Sequence, residues 1–179
     1  VTATNAEAFL YKQEDTLKEI KALLNNTPDV VKALQKLLSE ESALKSELDT
    51  LQRAHAIRLK KELLASSIER SGYRLFVLQG EEKADIIKDI AFQLRGELQE
   101  PFVFVAATTE GARGLLSVML SEEAVTSGLH AGNLVKEAAR LIQGGGGGQP
   151  HFATAGGKDA NGLPQALELI LSRVDAHAR

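Results

Sequence analysis

The sequence has 179 residues, of which 44% are apolar and 25% are charged, a composition typical of a globular protein. It contains no cysteine and no apolar run near the roughly 20 residues of a membrane span, which excludes disulfides and thiolate metal sites and predicts a cytoplasmic protein without a membrane partner. The formal net charge of −3 counts against a dedicated nucleic-acid-binding protein, although the local charge decides what a phosphate encounters.

Residues 1–70 predict a long helical hairpin. They contain one proline and no glycine, and apolar residues recur at three- and four-residue spacing at Leu10, Leu17, Ile20 and Leu24. "NNTPD" then interrupts the pattern, with Thr27 as the expected N-cap and Pro28 at the first helical position. The second helix meets no breaker before Gly72, so it can extend for about 40 residues. The short turn between the helices predicts an antiparallel, coiled-coil-like pair.

The second helix carries a leucine seam longer than the first helix can cover. We expect self-association through the seam, and its central residues are the predicted dimer interface: Leu37, Leu44, Leu48 and Leu51. A helical spacer within a monomer is the alternative interpretation of the same pattern.

Residues 72–179 predict a small α/β domain with a mixed sheet. The order is β-α-β-β-α-loop-α, and "FVFVAAT" (102–108) reads as a strand buried on both faces. The next apolar run, "LLSVML" (115–120), predicts a hairpin partner for that strand. A final helix opens at Pro164 and needs the same sheet to cover its apolar face.

The segment "GGGGGQPHFATAGG" (144–157) is the most unusual part of the sequence. Glycine loses more backbone entropy on folding than any other residue, so such a run calls for a reason. One interpretation is a loose surface loop. The other is a backbone cradle for an anion, in which either repeated positive φ angles turn consecutive N–H groups toward a phosphate or a ligand approaches the backbone with no side chain in the way. Lys158 would add charge to that cradle, and Phe152 would either stack on an exposed base or pack inward.

A locally basic helical stretch, "RAHAIRLKK" (53–61), has two interpretations as well. Arg53, Lys60 and Lys61 either solubilise the helix or contact an RNA backbone. The four histidines are scattered without metal-ligand spacing, and no catalytic set of nucleophile, base and acid is evident.

The stretch "LVKEAARLIQGGGGGQPHFATAGGKDANGLPQAL" closely resembles the glycine-rich signature of the DHH-associated domain family. That domain occurs in DHH-type phosphoesterases and at the C-terminus of alanyl-tRNA synthetases. The form of the glycine tract and the long helices before it resemble the synthetase version. The chain begins with Val1 inside a helix-forming stretch, so we expect a fragment of a longer protein.

The resemblance implies a C-terminal module without a catalytic centre or a bound metal. It would grip the outer corner of tRNA, form a homodimer and help couple aminoacylation with editing. ATP and zinc would belong to upstream catalytic and editing domains of the same chain. The residues expected to bind RNA, from the resemblance and the local charge, are Gly144, Gly145, Gly146, Gly147, Gly148, His151, Gly156, Gly157, Lys158, Arg53, Lys60 and Lys61.

Two other functions remain open at this point. One is the substrate-binding domain of a DHH-type phosphoesterase, against which the long helices argue. The other is a coiled-coil scaffold that binds proteins.

Overall fold

A computed structural model describes residues 2–70 and 72–177, with side chains described from residue 7 onward. Val1, on which the expectation of a fragment rests, lies outside these residues. The chain divides into two units at the boundary between Leu51 and Gln52. Among the described residues, no helix combines the length and apolar character that crossing a membrane requires.

The N-terminal unit is helical, as predicted. Helix α1 covers Thr2–Leu23, and the unit also contains the first part of α2, which covers Val30–Ala65. Two left-handed residues, Asn25 and Asn26, end the first helix. The expected N-cap at Thr27 is wrong: the carboxylate of Asp29 accepts the backbone N–H of Lys32 at 2.9 Å and caps α2.

The two helices of this unit do not bury their apolar stripes against each other. Leu37, Leu44, Leu48 and Leu51 are 50–65% exposed, and Leu10 of α1 is 62% exposed. The packed antiparallel pair that the short turn predicts is therefore not formed among the described residues. The leucine seam is uncovered within a single chain.

The second unit is built on a six-stranded mixed sheet, which confirms the predicted α/β class. In chain order its elements are β1 (Ile68–Arg70), β2 (Tyr73–Glu81), α3 (Ala84–Glu97), β3 (Phe102–Glu110), β4 (Arg113–Leu120), α4 (Glu122–Thr126), α5 (Ala131–Ala138), β5 (Gly144–Gly148), β6 (Phe152–Gly157) and α6 (Leu163–His177). The strand order is β1-β2-β3-β4-β6-β5. Only the β2–β3 pair is parallel, as its crossover through α3 requires.

Apolar cores lie on both faces of the sheet. On one side, here called the α6 face, strand residues such as Val105 and Val118 pack with α5 and α6. On the other, the α3 face, Phe104 and Met119 pack with α3 and with Leu63 near the end of α2. The last turns of α2 thus belong to the sheet unit, because Leu63 is buried in its core.

The glycine tract is the main difference between expectation and structure. The expected loop is instead a β-hairpin, in which the five glycines of β5 pair with β6 at the edge of the sheet. Strand β6 alternates exposed Thr154 with buried Ala153 and Ala155. Glycines carry no side chain, so β5 itself has no such alternation for sequence analysis to detect.

Candidate nucleic-acid interface

The backbone of the glycine tract is extended. The glycines with φ in the left-handed region, among the described residues, are Gly72, Gly80, Gly111 and Gly128, none of which lies in the tract. The expectation of repeated positive φ angles, and with it the anion nest, is therefore wrong. In an extended strand successive N–H groups point to opposite sides, so they cannot converge on one phosphate.

Alternate glycines of β5 are required by close packing within the hairpin. A Cβ on Gly146 would overlap the carbonyl oxygen of Thr154 and the Cα of Ala155. A Cβ on Gly144 would lie 2.6 Å from the Cα of Gly157. Any side chain at these positions would force β5 away from β6.

The intervening glycines have no such requirement. A Cβ on Gly145 or Gly147 would meet nothing within 4 Å, and one on Gly156 would only touch Leu115 at 3.8 Å. The register places these three glycines on the α3 face, in cross-strand rows with Leu115 and Thr154. We call the exposed surface of Gly145, Gly147, Thr154 and Gly156 the open glycine face.

Two buried hydroxyl residues lie in the sheet beside this surface. Ser117 is paired with Thr154 across the strands, and Thr108 lies in the row that contains Leu115 and Gly156. The Oγ1 atom of Thr108 is buried without a hydrogen-bond partner among the described residues. Such an atom normally finds a water or ligand partner. Next to the glycine hairpin, the α3 face therefore carries the hydroxyls of Thr108, Ser117 and Thr154 together with the half-buried Leu115.

Two phenylalanines border the open glycine face. The ring of Phe152, at the start of β6, is half-buried and packs into the core of the α3 face. The ring of Phe92 on α3 lies 5.1 Å from it, between ring centroids, and is 43% exposed. Phe152 therefore packs inward, and Phe92 presents the accessible ring.

A cation and a histidine lie beside these rings. The guanidinium of Arg95, one helical turn from Phe92, is 3.5 Å from the carboxylate of Glu122. Burial lowers the pKa of the His151 imidazole below its ordinary value, the positive charge of Arg95 lowers it further, and Glu122 opposes both. His151 is therefore neutral near pH 7 and offers one donor and one acceptor.

The structure does not gather all the residues expected to bind RNA. Lys60 is 17% exposed, and its ammonium donates hydrogen bonds to Gln93 at 2.9 Å and Glu97 at 2.8 Å. These contacts tie α2 to the side of α3 that faces away from Phe92. Arg53 and Lys61 are exposed on α2, and no contact joins them to the residues of the open glycine face among the described residues.

The remaining predicted residues lie around the hairpin. Lys158 is exposed directly after β6, at the same end of the sheet as Arg113, because Gly157 pairs with Gly114. His151 lies at the opposite end of β6, in the turn from β5. Arg113 and Lys158 thus supply positive charge at one end of the open glycine face, and Arg95 supplies it beside the neutral His151 at the other end.

Two residues of this site, Phe92 and Arg95, were missed by sequence analysis. The core side of α3 consists of Ile87, Ile90, Ala91 and Leu94. Phe92 is out of phase with that stripe. A large aromatic residue on the polar side of an amphipathic helix could have marked it in the sequence as a residue with a role outside the core.

The histidines have separate structural positions. His55 donates from Nε2 to Glu82 at 2.6 Å, and Arg58 donates to its Nδ1 at 3.1 Å. His130 accepts the backbone N–H of Asn133 as the N-cap of α5. In the described part of the chain, no three histidine or carboxylate side chains form a cluster that would hold a metal ion.

The chain is similar to known proteins in sequence and in fold. The family model of the DHHA1 domain matches residues 72–176. The alanine–tRNA ligase of Porphyromonas gingivalis is 47% identical over 98% of this chain and 20% of its own length. That of Parabacteroides distasonis is 43% identical over 97% of this chain and 20% of its own length. The chain thus spans about a fifth of the length of the curated relatives it matches.

Among solved structures, the C-Ala domain of alanyl-tRNA synthetase from Aquifex aeolicus superposes with a TM-score of 0.54. The match covers 62% of this chain and 98% of that domain, with 22% sequence identity. At this identity the match supports the fold alone.

Substitutions at two neighbouring glycines of β5 should have different effects on stability, because one glycine packs against β6 and the other faces solvent. We expect Gly146→Ala to lower the free energy of unfolding by about 1–3 kcal/mol, because its Cβ would overlap β6. Gly147→Ala should be neutral or stabilising by up to about 1 kcal/mol, since its Cβ meets only solvent and the unfolded chain loses entropy. Chemical denaturation of both variants measures the difference, and equal destabilisation would contradict the packing described for β5.

The ionisation of His151 should depend on its two charged neighbours. We expect NMR titration to give a His151 pKa below the ordinary value, with Arg95→Gln raising the pKa and Glu122→Gln lowering it further. Because the folded-state pKa is depressed, the stability from this group is present above about pH 6.5 and lost as the pH falls through the folded-state pKa. A His151 pKa at or above the ordinary value would contradict the described environment.

Proposed function

This chain belongs to the DHHA1 domain family, and on that premise we propose that it is a tRNA-binding module of an alanine–tRNA ligase. It matches the C-terminal domain of alanyl-tRNA synthetase, and relatives named alanine–tRNA ligase cover nearly all of it. In this proposal the module carries no catalytic centre. ATP and zinc are used by parts of the parent protein outside this chain, and the protein acts in the cytoplasm.

The observation that carries the proposal is the absence of side chains at Gly145 and Gly147. Neither glycine has a positive φ angle, and neither is required by packing, because a Cβ at either site would meet nothing. Each costs folding entropy relative to alanine. A ligand that approaches the backbone of β5 closely from solvent accounts for glycine at both positions, because a side chain there would block the ligand.

The chemistry around the open glycine face suits a sugar–phosphate backbone. Arg113 and Lys158 flank one end and Arg95 the other, which supplies positive charge despite the net charge of −3. The hydroxyl of exposed Thr154 and the neutral imidazole of His151 add hydrogen-bonding groups for ribose or phosphate oxygens. Positioning contacts of this kind bind RNA without reading its bases.

The leucine seam of α2 supports the second part of the proposal, which is homodimerisation. Four leucines at helical spacing are at least half exposed, and burying them against a second copy removes apolar area from water. A dimer that holds tRNA through this module would present it to the aminoacylation and editing domains of the parent protein, and so couple the two activities. The phosphoesterase and scaffold alternatives gain no specific support, because relatives at 43–47% identity over the whole chain are named alanine–tRNA ligase.

Binding of a tRNA(Ala) transcript at two salt concentrations tests the first part. We expect binding at about 50 mM salt that weakens steeply by about 200 mM as phosphate contacts are lost. Gly147→Leu should weaken binding at least about tenfold by blocking the open face, with unfolding free energy unchanged. Gly147→Ala is the matched control for a smaller obstruction, and it should have an intermediate affinity.

Two outcomes would overturn the RNA proposal. If the unmodified chain fails to bind at low salt, the module does not bind tRNA by itself. If Gly147→Leu binds as tightly as the unmodified chain, the RNA lies elsewhere, and Arg53→Gln with Lys61→Gln then tests the basic part of α2 through the salt dependence.

Sedimentation of charged variants tests the dimer. Leu44→Glu with Leu48→Glu places two carboxylates on the seam, so we expect monomers. Ser42→Glu with Ser46→Glu adds the same charges on the opposite side of α2 and should leave the dimer intact. An unchanged mass for the leucine variant would move the interface to another surface.

A further inference from the structure

We propose that Phe92 is a stacking platform for an unpaired nucleobase, with Arg95 binding the phosphate next to that base. This inference rests on the proposed RNA binding and assigns a base contact to a site otherwise described by backbone contacts. Phe92 lies on α3, outside the glycine hairpin, and forms the wall beside the open glycine face.

The ring of Phe92 is accessible and held in place. It is 43% exposed, while the core of α3 is formed by other residues such as Ile90 and Leu94. Phe152 braces it at a centroid distance of 5.1 Å and an interplanar angle of 58°. An exposed ring that is fixed by an aromatic neighbour loses little entropy when a base stacks on it.

The position of Phe92 relative to the glycine hairpin fits a strand of RNA. Phe152 is two residues before Thr154, which is a rise of about 7 Å along β6, so the ring pair borders the open glycine face directly. A backbone lying over Gly147 and Thr154 places a base within reach of the wall formed by α3.

The charges beside the ring favour a nucleotide over an apolar partner. Arg95 is one turn from Phe92 on α3 and 31% exposed, and Lys88 is exposed one turn in the other direction, next to the exposed carboxylate of Asp89. Glu122 is the carboxylate that faces Arg95, and it is 84% exposed, so their ion pair is weak and a phosphate can replace it. An accessible aromatic ring with a nearby arginine combines the stacking and phosphate contacts by which proteins bind single-stranded nucleic acid.

Stacking and phosphate contacts differ in salt dependence, which separates their roles. We expect Phe92→Leu to weaken binding of the tRNA(Ala) transcript about five- to a hundredfold at both salt concentrations, with the salt dependence unchanged. Arg95→Gln should reduce the slope of log affinity against log salt by about 0.7–0.9. Phe92→Trp keeps an aromatic face and should retain affinity.

Phe9→Leu in α1 is the matched control, because Phe9 is 61% exposed but lies in the other unit. It should leave RNA binding unchanged. A single-stranded RNA carrying 2-aminopurine reports stacking directly, since its fluorescence should be quenched by the unmodified chain and by Phe92→Trp, but not by Phe92→Leu. Thermal unfolding of each variant shows whether the fold is kept.

Failure of this inference is distinguishable from failure of the proposed function. If the unmodified chain binds tRNA and Phe92→Leu, while folded, binds equally well without loss of quenching, Phe92 is not a stacking platform and the RNA-binding proposal stands. If Phe92→Leu does not fold, the test is the unmodified chain alone. The inference is then overturned if the chain binds the 2-aminopurine RNA without changing its fluorescence. If the unmodified chain binds no RNA, both proposals fail.

Discussion

The close approach of β5 to β6 is the constraint on which the candidate site depends. Gly144, Gly146 and Gly148 all face the backbone of β6 so closely that any Cβ would overlap it. This packing fixes the position of an edge strand that has no side chains of its own to bury. Because β5 packs against β6 at these alternate glycines, its other side remains open at Gly145 and Gly147, and the open glycine face is the surface of a paired strand rather than of a loop.

The fold follows from sequence patterns wherever side chains report their environment. The buried run at 102–108, the hairpin to residues 115–120 and the amphipathic helices all lie where apolar spacing predicts them. The glycine hairpin could not be predicted in this way, because a strand is recognised by alternating apolar and polar side chains, and β5 has no side chains. The expectation of positive φ angles failed for a related reason: glycine permits that conformation, but its presence cannot show whether the chain uses it.

The candidate site was predictable only in part. The glycines and His151 could be identified along the chain, whereas Phe92 and Arg95 join them only through the packing of α3 on the sheet. Lys60 shows the opposite case. The basic residues around Lys60 predicted an RNA contact. Its ammonium instead donates hydrogen bonds to Gln93 and Glu97, so the charge of Lys60 attaches α2 to α3.

The helix that carries the leucine seam is also part of the sheet unit. Leu63 is buried in the core of the α3 face, and His55 bonds to Glu82 at the end of β2. One continuous helix therefore contributes to both units, and its two parts have different surroundings. Its last turns are fixed by core packing and polar contacts, whereas its earlier turns leave apolar residues exposed.

The composition of β5 has a consequence for self-association. An edge strand normally offers its free backbone groups to any other strand, and proteins protect such edges with charge, proline or a covering element. β5 itself has neither charge nor proline, but aggregation through stacked sheets needs interdigitating side chains, and five glycines provide none. The glycine composition of this edge strand therefore disfavours the dry side-chain interfaces on which amyloid fibrils depend.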